Sequence, residues 1–307
     1  MNLLSTVAQD TGAKREKVVV IMGPTGSGKT KLSIELATRF NGEIINADKI
    51  QLYKGLDITT NKIPVDQQNG IVHHLLGKFD SALGEVTQAE FSSLASSAIS
   101  SITGRHRLPI LVGGSNSYIY PLLSAQFDPN VFTSGLVSQE LRYQCCLLCM
   151  NVSPPVLNEY LGKRVDDMID SGMVDELAEF YESKIHEWAP DVGLRKAIGV
   201  PEFERYFHMK GNGQLREEAL FEEAVRDVKE NTYGLARRQM EKIQRLRMGG
   251  WNIHMLNGTT AFMMLSEGSN KWLDAWKRDV VTPSFNICGL VLFSQGPDMR
   301  GSTLPVA

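Results

Sequence analysis

The apolar positions of the first half form short runs that end at glycine or at a polar turn. Strand candidates span residues 17–22, 42–48, 108–114 and 145–152, and the first is a β-branched run that stops at Gly23. Continuous apolar runs of this length are typical of strands buried on both faces of a parallel sheet. The sequence therefore predicts four buried parallel strands.

Helical spacing of apolar residues follows and separates these runs. Residues 29–40 carry apolar side chains close to helical spacing, and residues 87–102 begin with the Thr87–Glu90 pattern of a capping box. From Pro154 the chain is mostly helical. The sequence predicts a helix after Pro154, a second helix beyond Gly172 and a long helix over residues 215–248.

Composition places the chain among ordinary globular proteins. It has 307 residues, of which 42% are hydrophobic and 22% charged, enough for one large domain or one domain with a smaller companion. A net charge of −3 indicates no general affinity for a polyanion, and no apolar run approaches the ~18 residues of a membrane span. We expect no membrane association and a monomer.

The N-terminal segment and the cysteines change this picture little. Residues 1–17 lack the apolar core of a secretory signal, so we expect a cytoplasmic protein, or a plastid one if the N-terminus is incomplete. Cys146 and Cys149 have C-x-x-C spacing, but no second pair stands at a zinc-site distance. We interpret the thiols near residue 146 as small apolar residues of a buried strand.

The strongest chemical signal lies between the first strand and the first helix. Gly23, Gly28, Lys29 and Thr30 match the phosphate-binding pattern G-x-x-x-x-G-K-[ST]. Amides of such a turn and the positive end of the helix bind an anion, lysine adds a charge, and the threonine hydroxyl can ligate Mg²⁺. The expected fold class is therefore α/β, a P-loop NTPase-like parallel sheet flanked by helices, with a mostly helical second half.

Nucleotide hydrolases and kinases usually have a metal-binding acidic residue at the end of a nearby hydrophobic strand, and this sequence lacks it there. The strand at 108–112 ends in Gly113 and Gly114 without a carboxylate, whereas Asp48 follows the second strand. One interpretation of Asp48 is a turn cap. Its position at the carboxyl end of a strand beside the loop favours a place at the reacting centre.

Six segments stand in the order seen in isopentenyltransferases, also called dimethylallyltransferases. They are residues 23–30, 46–62, 73–76, 111–119, 195–202 and 231–239. The chain looks most like the plant adenylate enzymes of cytokinin synthesis, over about residues 17–283. This resemblance implies that the loop binds dimethylallyl diphosphate and that the prenyl group passes to the adenine N6 amine of AMP, ADP or ATP, with Mg²⁺ as cofactor.

The resemblance also implies roles for individual residues. Asp48 matches the general base, Thr25 matches a loop threonine near the reacting atoms, and Lys29 is the third catalytic candidate. Thr30 is the expected metal ligand. The residues expected to bind the diphosphate or the nucleotide are Gly23, Gly26, Ser27, Gly28, Lys29, Thr30, Thr60, Lys62, Arg195, Lys196, Arg238 and Gln239. The choice between Arg195 and Lys196 stays open.

Two groups of ionisable residues allow a plain structural interpretation. Five basic residues lie on the predicted long helix. Three of them can be interpreted equally well as a solvent-exposed basic face or as part of a phosphate site. They are Arg237, Arg238, Lys242, Arg245 and Arg247, the last three being the solvated candidates. His73 and His74 are interpreted as structural residues rather than metal ligands, because no third ligand is nearby.

Four regions follow from these observations. They are an N-terminal extension (1–16), a P-loop core with the general base (17–153), a helical part that completes the core and the acceptor site (154–283), and an atypical tail (284–307). The link at 125–144 is shorter than the resemblance leads us to expect. The tail lacks the amphipathic, charged helix of the relatives, and disorder is one interpretation of it.

Three functions compete for this sequence. The first is an adenylate dimethylallyltransferase; the second is a transfer-RNA dimethylallyltransferase; the third is a P-loop kinase or nucleotide switch. The third function is disfavoured because the strand at 108–112 is followed by Gly113 and Gly114 instead of an acidic residue. The acidic net charge and Lys49 after Asp48, where bacterial transfer-RNA enzymes typically have serine, speak against the second. We therefore expect a free nucleotide rather than transfer RNA as the acceptor.

Overall fold

The described part of the chain is built around one parallel sheet of six strands. The computed structural model describes residues 15–126, 137–183, 192–209 and 214–293. The strands are β1 (Lys17–Met22), β2 (Gly42–Asn46), β3 (His73–His74), β4 (Leu108–Val112), β5 (Gln144–Asn151) and β6 (Ile253–Asn257). Their order across the sheet is β3-β2-β4-β1-β5-β6, and every pairing is parallel.

Helices cover both faces of this sheet. The α-helices are α1 (Lys29–Phe40), α2 (Gln88–Gly104), α3 (Asn116–Leu123), α4 (Pro154–Asp170), α5 (Met173–Glu182), α6 (Val200–Met209), α7 (Gln214–Met248), α8 (Thr259–Ser266), α9 (Trp272–Trp276) and α10 (Thr282–Cys288). Wider turns at Lys277–Val281 and Gly289–Phe293 continue α9 and α10 as one helical segment. No helix within the described residues is long and apolar enough to cross a membrane.

The alternation of β1 explains why the sheet needs helices on both sides. Val18, Val20 and Met22 pack into one hydrophobic cluster, whereas Val19 and Ile21 pack into the cluster on the opposite face. All five side chains are fully buried. A central strand with two apolar faces is stable only when both are covered, as in doubly wound parallel sheets.

The predicted α/β architecture is confirmed, together with most of its elements. The first strand, the helix at 29–40, the strand at 145–152 and the long helix appear within two residues of their predicted bounds. The capping box at Thr87 and Glu90 is formed. The second strand ends at Asn46, so the backbone turns out of the sheet before Asp48.

The strand β6 lies in the second half of the sequence and joins the sheet. It pairs with β5 from Leu147↔Ile253 to Asn151↔Asn257. The regions 17–153 and 154–283 are therefore successive along the chain but share one sheet and both of its hydrophobic clusters. The sequence analysis missed β6, because this five-residue segment contains polar His254 and Asn257 and lacks the continuous apolar run by which the other strands were predicted.

The interpretation of the tail as disordered is wrong for residues 284–293. These residues continue the C-terminal helical segment, and Ser284, Cys288 and Leu292 are buried. Cys288 lies beside Cys146 of β5, with 3.6 Å between the two sulfur atoms, and both thiols are free. Residues 294–307, like residues 1–14 and part of the link at 125–144, lie outside the described residues.

Candidate active site

The loop that joins β1 to α1 depends on glycine at three positions. Gly23, Gly26 and Gly28 have φ angles of 145°, 74° and 87°, which side-chain-bearing residues rarely adopt. A Cβ on Gly26 would lie 2.4 Å from Leu161, and one on Gly28 would lie 2.7 Å from the Trp276 ring. The glycines thus let the loop curl into an anion-binding turn while α4 and the C-terminal segment pack directly against it.

Hydrogen bonds within the loop fix its shape. The Ser27 hydroxyl and the Lys29 ammonium both donate to the Pro24 carbonyl, at 2.8 and 2.7 Å. The Thr25 amide donates to Oε1 of Gln239 on α7 at 2.7 Å. Gln239 therefore lies at the phosphate loop, although it is separated from Thr25 by 214 residues of sequence.

Burial shifts the protonation equilibrium of Lys29. The pKa of the Lys29 ammonium is lowered to about 8, mainly by desolvation; the Asp48 charge opposes this shift and the Arg164 charge adds to it. The lysine is thus charged at neutral pH but close to losing its proton. An incoming anion would restore the charge balance of this region.

Asp48 lies in the same electrostatic environment. Desolvation raises the pKa of the Asp48 carboxyl, whereas the Lys29 charge and the Ile50 amide lower it. Its Oδ1 accepts a hydrogen bond from the Ile50 amide at 3.2 Å, and its own amide donates to Asn46 Oδ1 at 3.2 Å. Asp48 is therefore a turn cap and also a candidate base, a carboxylate whose basicity burial has increased.

The glycine pair after β4 explains how the loop and Asp48 come together. Strand β4 lies between β1 and β2 in the sheet. A Cβ on Gly113 would lie 2.3 Å from the Ala47 carbonyl, and one on Gly114 would lie 2.1 Å from Gln239 Nε2. Glycine at these two positions therefore lets the chain after β4 pack directly against the Ala47 backbone on one side and Gln239 on the other.

Arg164 on α4 is a site residue that the sequence analysis missed. Its guanidinium donates to the Thr25 hydroxyl at 3.2 Å, and its buried Nε has no hydrogen-bond partner within the described part of the chain. Desolvation lowers its pKa, and Asp48 opposes that effect. A sequence signal existed, because Arg164 interrupts the apolar stripe that contains Leu157, Leu161 and Val165.

Residues 55–62, here called the 55–62 loop, form another wall of the site. The Lys62 ammonium donates to the Gly55 carbonyl at 2.6 Å and to Asp57 Oδ1 at 2.9 Å, and its side chain is only 6% exposed. The Thr60 hydroxyl donates to the Leu56 carbonyl at 2.6 Å. Lys62 lines the cavity described next, whereas Thr60 does not.

A cavity of about 890 Å³ connects these groups. Its walls come from the phosphate loop, the segment after β2, the 55–62 loop with the residues that follow it, and α4. The predicted site residues on its surface are Thr25, Gly26, Ser27, Gly28, Lys29, Thr30, Asp48 and Lys62. It is large enough for a diphosphate and a second small molecule.

Six predicted binding residues do not line this cavity, and they are Gly23, Thr60, Arg195, Lys196, Arg238 and Gln239. Lys196 donates to Glu85 at 2.7 Å, and the same carboxylate pairs with Lys49. Gln239 reaches the loop only through Thr25. Arg195 and Arg238 also lie outside the cavity wall, and Arg238 is exposed on α7.

His73 and His74 have the structural surroundings that the sequence analysis expected. His74 Nε2 lies 2.6 Å from Glu43, a buried carboxylate that also pairs with Arg105 and Arg107. His73 Nδ1 lies 2.9 Å from the Ile71 carbonyl. Within the described residues, no group of three or more His, Cys, Asp and Glu side chains is placed to hold a metal ion.

The fold and the site together define an α/β enzyme that places a phosphate loop beside a buried carboxylate. A family model described as IPP transferase matches residues 51–135 and 128–245. The chain belongs to the IPP transferase family. It is 52% identical to an adenylate isopentenyltransferase of Humulus lupulus, over 87% of this chain and 88% of the relative.

Other relatives and solved structures agree with this family. Adenylate isopentenyltransferase 1 of Arabidopsis thaliana is 46% identical over 89% of this chain and 80% of its own. A solved eukaryotic dimethylallyltransferase acting on tRNA has a TM-score of 0.71 at 25% identity, covering 89% of this chain and 78% of its own. The Arabidopsis relative is named chloroplastic, so the cytoplasmic location stays a prediction.

Proposed function

We propose that this protein transfers the dimethylallyl group of dimethylallyl diphosphate to the N6 amine of a free adenine nucleotide and releases diphosphate. The observation that carries the proposal is the single cavity that contains both Lys29 of the phosphate loop and the buried Asp48. Relatives named adenylate isopentenyltransferase, up to 52% identical, support the substrate pair. In such enzymes this transfer begins cytokinin synthesis.

The phosphate loop would bind the diphosphate end of the donor. Loop amides, the N-terminus of α1 and Lys29 offer positive charge to the oxygens that gain negative charge when the carbon–oxygen bond breaks. Arg164 and Thr25 are hydrogen-bonded to each other at 3.2 Å on the same side of the cavity. We assign them to the oxygen that leaves the prenyl carbon, since the buried Nε–H of Arg164 has no hydrogen-bond partner among the residues that the structure describes.

Asp48 would act on the acceptor. The exocyclic amine of adenine is a weak nucleophile, because its lone pair is delocalised into the ring. A carboxylate that accepts a hydrogen bond from this amine orients it and takes its proton as the carbon–nitrogen bond forms. Burial raises the pKa of Asp48, which makes it a stronger base than an exposed aspartate.

The chemistry of the site fits a magnesium ion shared with the substrate. Thr30 lines the cavity at the first turn of α1, and Mg²⁺ in such sites commonly takes one or two protein ligands together with phosphate oxygens. We propose Thr30 as its protein ligand. The ion would neutralise charge on the departing diphosphate.

The proposal is tested with purified protein, radiolabelled dimethylallyl diphosphate and four separate acceptors, AMP, ADP, ATP and transfer RNA. We expect label in the nucleotides and none in transfer RNA. Lys29→Ala serves as the loop control and should lose labelling. Phosphate release from ATP in the absence of a prenyl donor would instead support a kinase or nucleotide-switch function.

A further inference from the structure

The 55–62 loop contains Leu56, a residue whose backbone conformation its side chain does not favour. Gly55, Leu56 and Asn61 have φ angles of 83°, 51° and 51°. Leucine is uncommon in the left-handed region, since its Cβ approaches the carbonyl oxygen there. The surrounding structure must hold such a conformation, and strained segments of this kind are frequent at functional sites.

Part of that support comes from Glu176 on α5, more than a hundred residues away. Its Oε1 accepts a hydrogen bond from the Ile58 amide at 3.0 Å. Its Oε2 accepts from the Thr59 amide at 2.8 Å and from the Thr59 hydroxyl at 2.7 Å. One carboxylate thus receives three hydrogen bonds from two consecutive residues of the loop.

These contacts act as an N-cap supplied from another part of the chain. Residues 57–62 form a helix-like turn in which the Thr60 amide donates to Leu56 and the Lys62 amide donates to Asp57. The amides of Ile58 and Thr59 stand at the start of that turn, where no carbonyl within the turn can satisfy them. Glu176 satisfies both, and its negative charge suits the positive end of the turn.

The contact between α5 and the loop is closely packed. Met173 and Leu177 of α5 are fully buried, which anchors the helix that carries Glu176. A Cβ on Gly199 would lie 2.5 Å from Met173 and 2.9 Å from the Thr59 methyl group. Only glycine at position 199 therefore lets Thr59 pack against α5 where Glu176 can reach it.

We infer that Glu176 is a positioning residue for the donor, because it holds the 55–62 loop in the conformation that presents Lys62 to the cavity. The inference rests on the proposed function in one respect, that the diphosphate is what Lys62 meets there. Without the carboxylate, the two amides lose their acceptors and the loop can leave the left-handed conformation at Leu56. Lys62 then no longer occupies one fixed place.

Three variants separate this role from general stability. Glu176→Gln keeps the shape but removes the charge and one acceptor oxygen, Glu176→Ala removes the cap, and Thr59→Val removes only the hydroxyl bond. Glu179→Ala is the matched control, because Glu179 is an exposed carboxylate on the same helix. The measurements are the affinity for inorganic diphosphate by calorimetry, KM for donor and acceptor, kcat, and the unfolding temperature.

We expect diphosphate affinity and donor KM to worsen about tenfold or more in both Glu176 variants and less in Thr59→Val, since hydrogen bonds to a charged acceptor are the strong ones. Acceptor KM and the control should not change. Unchanged donor KM and diphosphate affinity, or a loss of kcat that only follows the folded fraction, would overturn the inference. If Glu176→Ala does not fold, Glu176→Gln and Thr59→Val carry the test. Diphosphate binding is measured without turnover. It therefore tests the role of Glu176 separately from the proposed prenylation of a nucleotide.

Discussion

Lys29 and Asp48 have opposite charges and opposite pKa shifts that share one cause, the burial of both groups. Lys29 is charged below pH about 8 and neutral above it. The Asp48 carboxyl stays protonated to a higher pH than an exposed aspartate, because burial raises its pKa. The free enzyme has both required charges only between these two ionisations.

The alkaline side gives a prediction for donor binding. We expect kcat/KM for the donor to fall as pH rises through about 8, because the free enzyme loses the Lys29 charge there. The value of kcat should change less, since bound diphosphate favours the charged lysine. Lys29→Arg should remove the alkaline fall, because arginine keeps its charge. A fall that persists in Lys29→Arg would assign it to another group.

Replacement of Asp48 by asparagine should leave the site's shape intact and remove the base. We expect a rate loss on the order of 10²–10⁴-fold, with donor affinity little changed. Asp66→Asn is the matched control, because Asp66 is exposed and lies outside the cavity wall. Steady-state kinetics with a saturating donor measures the effect. If Asp48→Asn turns over like the parent, Asp48 serves only to cap the turn at Ile50.

Arg164→Met tests the residue that the sequence analysis missed. The variant removes the hydrogen bond to Thr25 and the guanidinium charge but retains an apolar side chain on α4. We expect kcat to fall roughly 10²-fold, as when one donor to a developing negative charge is lost. Thermal unfolding should change little, because within the described residues Arg164 donates to the neutral Thr25 hydroxyl and forms no close ion pair whose partner would be left unpaired. An unchanged kcat would remove Arg164 from the reaction.

The end of β4 and the middle of α7 meet at a single side chain, that of Gln239. A Cβ on Gly114 would occupy the place of Gln239 Nε2, so Gly114→Ala should displace this flexible amide from the Thr25 amide without unfolding the protein. We expect donor affinity to fall a few-fold to about tenfold, the worth of one hydrogen bond. Gly104→Ala is the control, because a Cβ there meets nothing within 4 Å.

A double-mutant cycle shows whether Gly114 acts through Gln239. Gln239→Ala alone should weaken the donor about as much as Gly114→Ala, and the double variant should be no worse than either. Such non-additivity is expected of two changes that remove the same contact. Additive losses would mean that Gly114 affects the donor by another route.

The sequence predicted those parts of the site whose residues are adjacent along the chain. The strand β1, the glycine-rich loop and the first turn of α1 are adjacent in sequence, and their role follows from glycine, lysine and threonine at fixed spacing. Gln239, Arg164 and Glu176 reach the site from helices up to 214 residues away from their partners. Sequence spacing contains no information about that distance in space, so only the motif resemblance pointed to Gln239.

The structure of the C-terminal segment also depends on contacts that are distant in sequence, and the sequence analysis therefore did not predict it. Residues 284–293 read as an irregular tail because they combine glycine with an apolar run. In the folded protein this run packs against β5 and α1. Trp276 of the same segment donates to Glu35 of α1 and covers Gly28 of the phosphate loop. Its helical state depends on those long-range contacts more than on local propensity.

Leu292 and Leu290 provide a matched test of that packing. Leu292 is 1% exposed, whereas Leu290, two residues earlier, is 70% exposed. We expect Leu292→Ala to lower the free energy of unfolding by about 2–4 kcal/mol, and Leu290→Ala to change it by less than about 0.5 kcal/mol. Chemical denaturation measures both. Equal effects would contradict the burial of the C-terminal segment.

The transfer assay with labelled dimethylallyl diphosphate tests most directly whether the cavity joins a prenyl donor to a free adenine nucleotide. Parent protein is incubated with the donor and with AMP, ADP, ATP or transfer RNA, and the products are separated and counted. We predict label on the adenine of the free nucleotides, dependent on Asp48 and Lys29. Label in transfer RNA alone, with no labelled nucleotide, would contradict the proposed acceptor.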